Sequence, residues 1–311
     1  MSAAATSTAS IRRLFPGWLD LAGRVSGRTL TEYRLDATHY LIYCAAADVE
    51  PLDAESLRAW RNHMVEGTQL SPHTINRRLA AIKRLTKASA VLKELPSAIA
   101  HEFSLVENAQ VSPLRHRLRP DARIKIEPVE MRALVEAPDT RSLLGQRDRA
   151  LLATLAGSGC RIGELMALQQ DHVLRDPKGS MIEVLGKGQA QPRTAPLSLE
   201  AHKAIGAWLE ARAKCGIDAQ HIFTGFKGPG VRGVPTSRPL SVRSGWNVVR
   251  KYARQVGLVL KPHDMRRFVG TQLAAKDLRS AQLALGHKRL ETTVRHYVLH
   301  ELEAGLTDGL Y

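Results

Sequence analysis

Residues 180–198, SMIEVLGKGQAQPRTAPLS, read differently from the segments on either side of them. They spell a strand, a glycine-containing turn and a second strand, set in a chain whose other patterned segments carry helical spacing. Lys187 stands at the tip of the turn between Gly186 and Gly188, and glycines there allow a ligand close to the backbone. Just upstream, RDRALLATLAGSG (147–159) reads as an apolar helix ended by Gly157 and Gly159. CRIGELMALQQDHV (160–173) starts another that buries Ile162, Leu165, Met166 and Val173. Downstream, PLSVRSGWNVVRKYARQVGL (239–258) is a helix capped by Ser241 and closed by Gly257, and further helices begin at Pro262 and near Asp277. The expected second domain, 125–311, is therefore helical with a small β-hairpin.

The first half carries no strand signal. In SPHTINRRLAAIKRLTKASAVLKEL (71–95), Ser71 can cap, Pro72 suits the first helical position, and Ile75, Leu79, Ile82, Leu85 and Leu92 form an apolar stripe. TLTEYRLDATHYLIYCAAA (29–47) and DAESLRAWRNHMV (53–65) also read as helices, so 11–110 is expected to be a small helical bundle behind a disordered lead-in over 1–10. Arg77, Arg78, Lys83, Arg84 and Lys87 crowd the polar surface of the 71–95 helix. They could neutralise phosphates, or simply form a solvated face. Between the halves, VSPLRHRLRPDARIKIEP (111–128) has three prolines and the cations Arg115, Arg117 and Arg119. The stretch 111–124 reads as a basic linker that could lie along a duplex or act only as a hinge.

The chain has 311 residues, 44% of them hydrophobic, enough for two domains. Its 45 Lys plus Arg outnumber 30 Asp plus Glu, a formal charge of +15 that attracts polyanions, nucleic acid first among them. Three widely spaced cysteines, Cys44, Cys160 and Cys215, give neither a disulfide framework nor a metal site. No signal-peptide pattern opens the chain, and no apolar run approaches the ~20 residues of a membrane span. A cytoplasmic protein without a membrane segment is expected.

The chemistry gathers in the second half. Arg161 lies in the opening turn of its helix, where free N–H groups and the helix dipole favour an anion. KPHDMRRFVGTQL (261–273) puts His263, Arg266 and Arg267 on one helix face and Met265, Phe268, Val269 and Leu273 on the other. His287 follows Gly286, which stops a helix and aims the next side chain away from the core. Tyr297 sits near the C-terminus. Taken singly, each has a structural reading: a surface arginine, a solvated lysine, a packing tyrosine. Together, two arginines, a lysine, two histidines and a tyrosine, without a paired-carboxylate metal cluster or a Walker loop, suit phosphodiester transesterification with neither metal nor cofactor.

In the order GCRIGEL, GKGQAQPRTAPLS, HDMRR, LGH and then Tyr297, the chain resembles the tyrosine recombinases, the phage integrase and Xer-like family, and TINRRLAAIKRL is similar to that family's helical core-binding domain. The resemblance implies that Arg161 and Arg266 hold the non-bridging oxygens of the scissile phosphate, and that Tyr297 attacks phosphorus to give a 3′-phosphotyrosyl link. Lys187 would protonate the departing 5′-oxygen, and His287 would add a hydrogen bond to the phosphate. A phenol with an ordinary pKa of about 10 needs help at neutral pH, and His263 is the candidate to accept its proton. Glu164 would orient a neighbour or be a surface carboxylate; Arg267 would contact backbone or support the site.

His287 and Tyr297 are ten residues apart, where many members of the family it resembles have nine and others ten; the nine-residue position is His296, a nucleophile the family does not use. Leu302, Leu306 and Leu310 form an apolar stripe in the tail that could dock in a neighbouring protomer or fold back. A helical domain plus a catalytic domain account for the length, so an extra arm-binding domain is not expected. A recombinase of this layout acts as a tetramer on paired double-stranded DNA sites. Two rivals share the pattern: a type IB topoisomerase-like enzyme, and a non-catalytic DNA-binding protein on the same scaffold.

Overall fold

A computed structural model of the protein describes residues 8–118, 126–176, 179–186, 191–228 and 233–297. The chain divides into two compact units, Met1–Ala122 and Arg123–Tyr311. It is mostly helical, with small antiparallel sheets in the second unit.

The first unit contains α1 (Thr8–Leu14), a 3-10 turn (Pro16–Leu21), α2 (Gly27–Ala47), α3 (Ala54–Gly67), α4 (Pro72–Val91) and α5 (Ser97–Leu105). Helix α1 begins inside the expected 1–10 lead-in, because Ile11 and Phe15 are buried in the core and the helix seats them there. Helix α4 is the centre of the bundle. Ser71 caps it, its side chain accepting from the Thr74 N–H at 3.3 Å, a device worth about 1 kcal/mol. Ile75, Leu79, Ile82 and Leu85 are fully buried as the spacing predicts, each contributing roughly 1.5–3 kcal/mol relative to exposure. Leu92, assigned to the same stripe, is exposed, because α4 ends at Val91 and the chain turns there. Gly17 lets the 3-10 turn lie against α4: a Cβ there would sit 2.2 Å from the Ser89 nitrogen, and the Gly17 N–H instead donates to Ser89 Oγ at 2.9 Å. Leu114, from the basic segment that follows α5, packs into this core beside the 3-10 turn Arg115–Arg117.

The second unit is built around α7 (Leu143–Ser158), an almost wholly buried helix that packs on α6 (Pro128–Glu136), α9 (Leu199–Lys214) and α11 (Pro262–Ala274). Strands β1 (Val173–Asp176), β2 (Gly179–Val184) and β3 (Arg193–Leu197) form a sheet in that order, with Val184 opposite Arg193 across the expected hairpin. A second hairpin pairs β4 (Thr224–Lys227) with β5 (Val234–Pro239). Helix α8 (Ile162–Met166) precedes the first sheet, and α10 (Val242–Gln255), α12 (Leu278–Leu285) and α13 (Leu290–Tyr297) follow the second hairpin.

The cap at Ser241 and the helix starts at Pro262 and near Asp277 fall where the sequence places them, Asp277 serving as the N-cap of α12. The helix expected over 160–173 does not. It is one short turn, α8, after which the chain passes through a 3-10 turn and enters β1 at Val173. Gly157 stays inside α7, and only Gly159, at φ 64°, ends it. Arg147 and Asp148, on α7, are buried as an ion pair, and the Tyr252 hydroxyl of α10 donates to Asp148 at 3.0 Å, tying these helices together.

Candidate active site

The left-handed Gly159 turns the chain sharply out of α7, so that Arg161 becomes the N-cap of α8. Its backbone N–H is not left open to an anion as the sequence reading has it: it donates to Glu164 Oε2 at 2.9 Å, while its guanidinium donates to Glu164 Oε1 at 2.7 Å. Glu164 is 3% exposed and Arg161 45% exposed. The carboxylate therefore orients Arg161 from below and leaves the guanidinium facing outward. Burial alone would raise the Glu164 pKa, but the N–H and guanidinium of Arg161 and the charge of Arg193 more than offset it, and the carboxyl is held below its ordinary value.

Arg266, on α11, is 2% exposed. Its fork is fixed by two carbonyls left free at helix ends: Nη1 donates to Gly159 O at 2.8 Å and Nη2 to Leu285 O at 2.6 Å. Nη2 also lies 3.3 Å from His287 Nε2. A guanidinium can only donate, so this Nε2 accepts and the ring carries its proton on Nδ1, which faces Thr293 Oγ1 at 2.9 Å. Burial and then the neighbouring Arg161 charge lower the Arg266 pKa, with Tyr297 and Glu164 opposing. The two guanidinium charges repel each other, and an anion between them would relieve that repulsion.

Gly286 ends α12 in the left-handed conformation, φ 65°, and delivers His287. The His287 carbonyl accepts from Gln282 Nε2 at 3.0 Å, fixing the turn. Tyr297, 3% exposed, lies at the end of α13 with its ring stacked on His287 at 5.3 Å and 22°, and it hydrogen-bonds Arg266. His263 opens the same face of α11 one turn before Arg266 and is exposed. Desolvation, then the charges of Arg267 and Arg266, hold its imidazole below the ordinary 6.5. The buried Cys160 thiol next to Arg161 is pushed up to about 11 by burial, so it stays protonated and is no rival nucleophile.

Of the residues expected in the site, Arg161, Arg266, His287 and Tyr297 come together, with His263 on the rim. Lys187 lies outside the described residues, as do Arg119 and the tail leucines Leu302, Leu306 and Leu310. Glu164, Thr293, Gln282 and Arg193 hold the others in place; sequence reading left Glu164 open and gave the rest no role. Among the described residues no cluster of three His, Cys, Asp or Glu could hold a metal, and no helix is long and apolar enough to cross a membrane.

The cations expected to meet DNA in the first unit divide. Arg77, Arg84 and Lys87 share the exposed face of α4, though Arg77 is also bonded to Asp36. Arg78 is turned inward toward Asp36, and Lys83 donates to the Val106 carbonyl. Arg115 is exposed and Arg117 half-buried.

Residues 125–303 match the Phage integrase family, and residues 7–90 the Phage integrase N-terminal SAM-like domain. Tyrosine recombinase XerC of Myxococcus xanthus is 30% identical over 304 residues, covering 94% of this chain and 93% of that protein. Among solved structures, the Tn1549 transposon integrase in complex with circular intermediate DNA aligns with a TM-score of 0.62 at 18% identity, covering 94% of this chain and 96% of the other. A lambda integrase dimer bound to a COC′ core site aligns at 0.58 and 15% identity, covering 92% and 97%. Both structures share the fold. With the family match spanning the whole arginine, histidine and tyrosine cluster, the chain belongs to the phage integrase family and is a tyrosine-type site-specific recombinase.

Proposed function

We propose that this recombinase cuts and rejoins duplex DNA with Tyr297 as its nucleophile. The phenolic oxygen attacks the scissile phosphorus, forming a 3′-phosphotyrosyl bond as the bond to the 5′-oxygen breaks. His263, neutral because its pKa is depressed, takes the phenol proton. Lys187 gives a proton to the departing 5′-oxygen. A 5′-hydroxyl from the partner strand then attacks the phosphotyrosyl bond and releases Tyr297. Each step exchanges one phosphodiester for another, so no nucleotide cofactor is called for. The substrate is double-stranded DNA, in line with the DNA complexes of the two structurally similar integrases. Recombination of paired sites calls for a tetramer, and the free cysteines suit the reducing cytoplasm.

One observation carries the reading: the buried Arg266 guanidinium lies within the field of the outward-facing Arg161 and interacts with the Tyr297 side chain. A phosphate between them relieves their repulsion, and the charge that grows on its oxygens during attack is stabilised by donors already in place. The test is a nicked suicide duplex carrying the site the protein selects from a random duplex library. Wild type should become covalently attached and Tyr297→Phe should not; attachment of the Phe variant would reject the nucleophile.

A further inference from the structure

Arg193 opens β3, yet its side chain leaves the sheet and is 12% exposed. It crosses the left-handed turn at Gly286, where a Cβ would come within 2.4 Å of its Cδ and Nε. Beyond that crossing the fork divides. Nη1 donates to the Ala284 carbonyl at 2.6 Å, and Nη2 donates to Glu164 Oε2 at 3.0 Å. That oxygen is the one that accepts the Arg161 N–H, and the other oxygen of the same carboxylate holds the Arg161 guanidinium. The Ala284 carbonyl is one residue before the Leu285 carbonyl that fixes Arg266, and three before His287. One side chain thus joins three pieces of chain that are far apart in sequence: β3, the cap of α8 that carries Arg161, and the α12 turn that carries His287.

We infer that Arg193 is a positioning residue for the transesterification, setting Arg161 through Glu164 and seating the turn that bears His287. This rests on the reading that Arg161 binds the scissile phosphate. Both terminal nitrogens of Arg193 are engaged by protein acceptors, so it acts on the phosphate through Arg161 rather than by touching it. Its second task is electrostatic. Glu164 faces two guanidinium groups, and with Arg193 present the carboxylate charge is shared, leaving Arg161 net positive charge to offer an anion. Without Arg193, Glu164 pairs with Arg161 alone and draws it down onto itself. Lysine cannot replace it, because a single ammonium on a flexible stem does not span two acceptors in fixed directions.

The experiment measures covalent attachment on two forms of the selected nicked duplex: one with an ordinary scissile phosphodiester, one with a methylphosphonate, in which a charged non-bridging oxygen is replaced by a methyl group. Arg193→Gln should bind the duplex within about threefold of wild type but attach on the order of 10²-fold more slowly to the phosphodiester, the cost of a misplaced group. On the uncharged methylphosphonate, where charge pairing with Arg161 counts for less, its deficit should shrink to about tenfold or less, as should that of Arg161→Ala. The double variant should be no slower than Arg161→Ala alone. Arg193→Lys should recover less than about a tenth of the wild-type rate. Equal deficits on both duplexes, or losses that multiply in the double variant, would make Arg193 a mere support of the fold and overturn the inference. If Arg193→Gln lost its thermal unfolding transition, Arg193→Lys would carry the same comparison, and a wild-type rate for it would be equally fatal. Attachment by Tyr297→Phe on either duplex would instead overturn the site reading itself, and this inference with it.

Discussion

Gly270 and Tyr297 are fitted to each other across two helices: a Cβ on Gly270 would lie 2.3 Å from Cδ1 and 2.5 Å from Cε1 of the tyrosine ring. Gly270 is buried, and the space beside it is taken by the Tyr297 ring. Gly270→Ala should displace the ring, slow covalent attachment on the order of 10²-fold and cost about 1–3 kcal/mol by overpacking. DNA affinity should change little. Attachment kinetics and urea unfolding test this together; an alanine variant with the wild-type rate contradicts the fit.

Gly286→Ala meets two obstacles at once, the left-handed φ of 65° and the Arg193 side chain 2.4 Å from the added carbon. Loss of about 1–3 kcal/mol of stability is expected from the strained backbone and the clash. Chemical unfolding gives the number, and a neutral result would mean the turn relaxes without Arg193.

Glu164 supplies a pH signature. Its folded pKa lies below its ordinary 4.5, so its contribution to stability is fully present above that value and is lost as pH falls through the lower folded value. Glu164→Gln should be less stable than wild type at pH 7, and the gap should narrow on acidification below about pH 4.5. It should also attach DNA more slowly, since Arg161 loses its carboxylate partner. Thermal unfolding across pH reads the first effect; a gap that widens in acid would contradict the assignment.

His263 must be neutral to accept a proton, and its pKa is depressed below 6.5 by desolvation and by Arg267 and Arg266. The rate of attachment should therefore hold as pH falls to 6.5 and decline only below it. In His263→Gln the rate should drop and this acid limb should disappear. A limb that persists unchanged in the variant assigns it to another group.

On α4 the two kinds of basic residue should separate. Removing Arg84 or Lys87, both exposed, should weaken DNA binding and lower the salt dependence by roughly one phosphate each. Removing Arg78, turned toward the buried Asp36, should mainly destabilise the first unit. Binding isotherms over a salt series, beside unfolding curves, distinguish them.

What the sequence made legible follows from local physics. The α4 stripe from Ile75 to Leu85, the caps at Ser71 and Ser241, the helix starting near Asp277 and the β2–β3 pairing are all set within a few residues by spacing and turn chemistry. The site residues stood out because their chemistry was unusual in combination and their order matched a family. The supports did not stand out. Arg193 reaches Ala284 over 91 residues and Arg266 reaches Gly159 over 107, distances at which no periodicity reports contact. Arg193 lay inside the quoted hairpin motif, where an arginine at the start of a strand carries no sign of a partner 91 residues away. Leu92 and the shortened α8 were misread for another reason: apolar spacing continues past the point where the backbone turns.

The most direct test of the account is to isolate the covalent complex formed on the nicked duplex, digest it with protease and sequence the DNA-linked peptide by mass spectrometry. A phosphodiester-linked nucleotide is expected on Tyr297, in the peptide ending α13. A nucleotide on any other residue, His296 included, would contradict it.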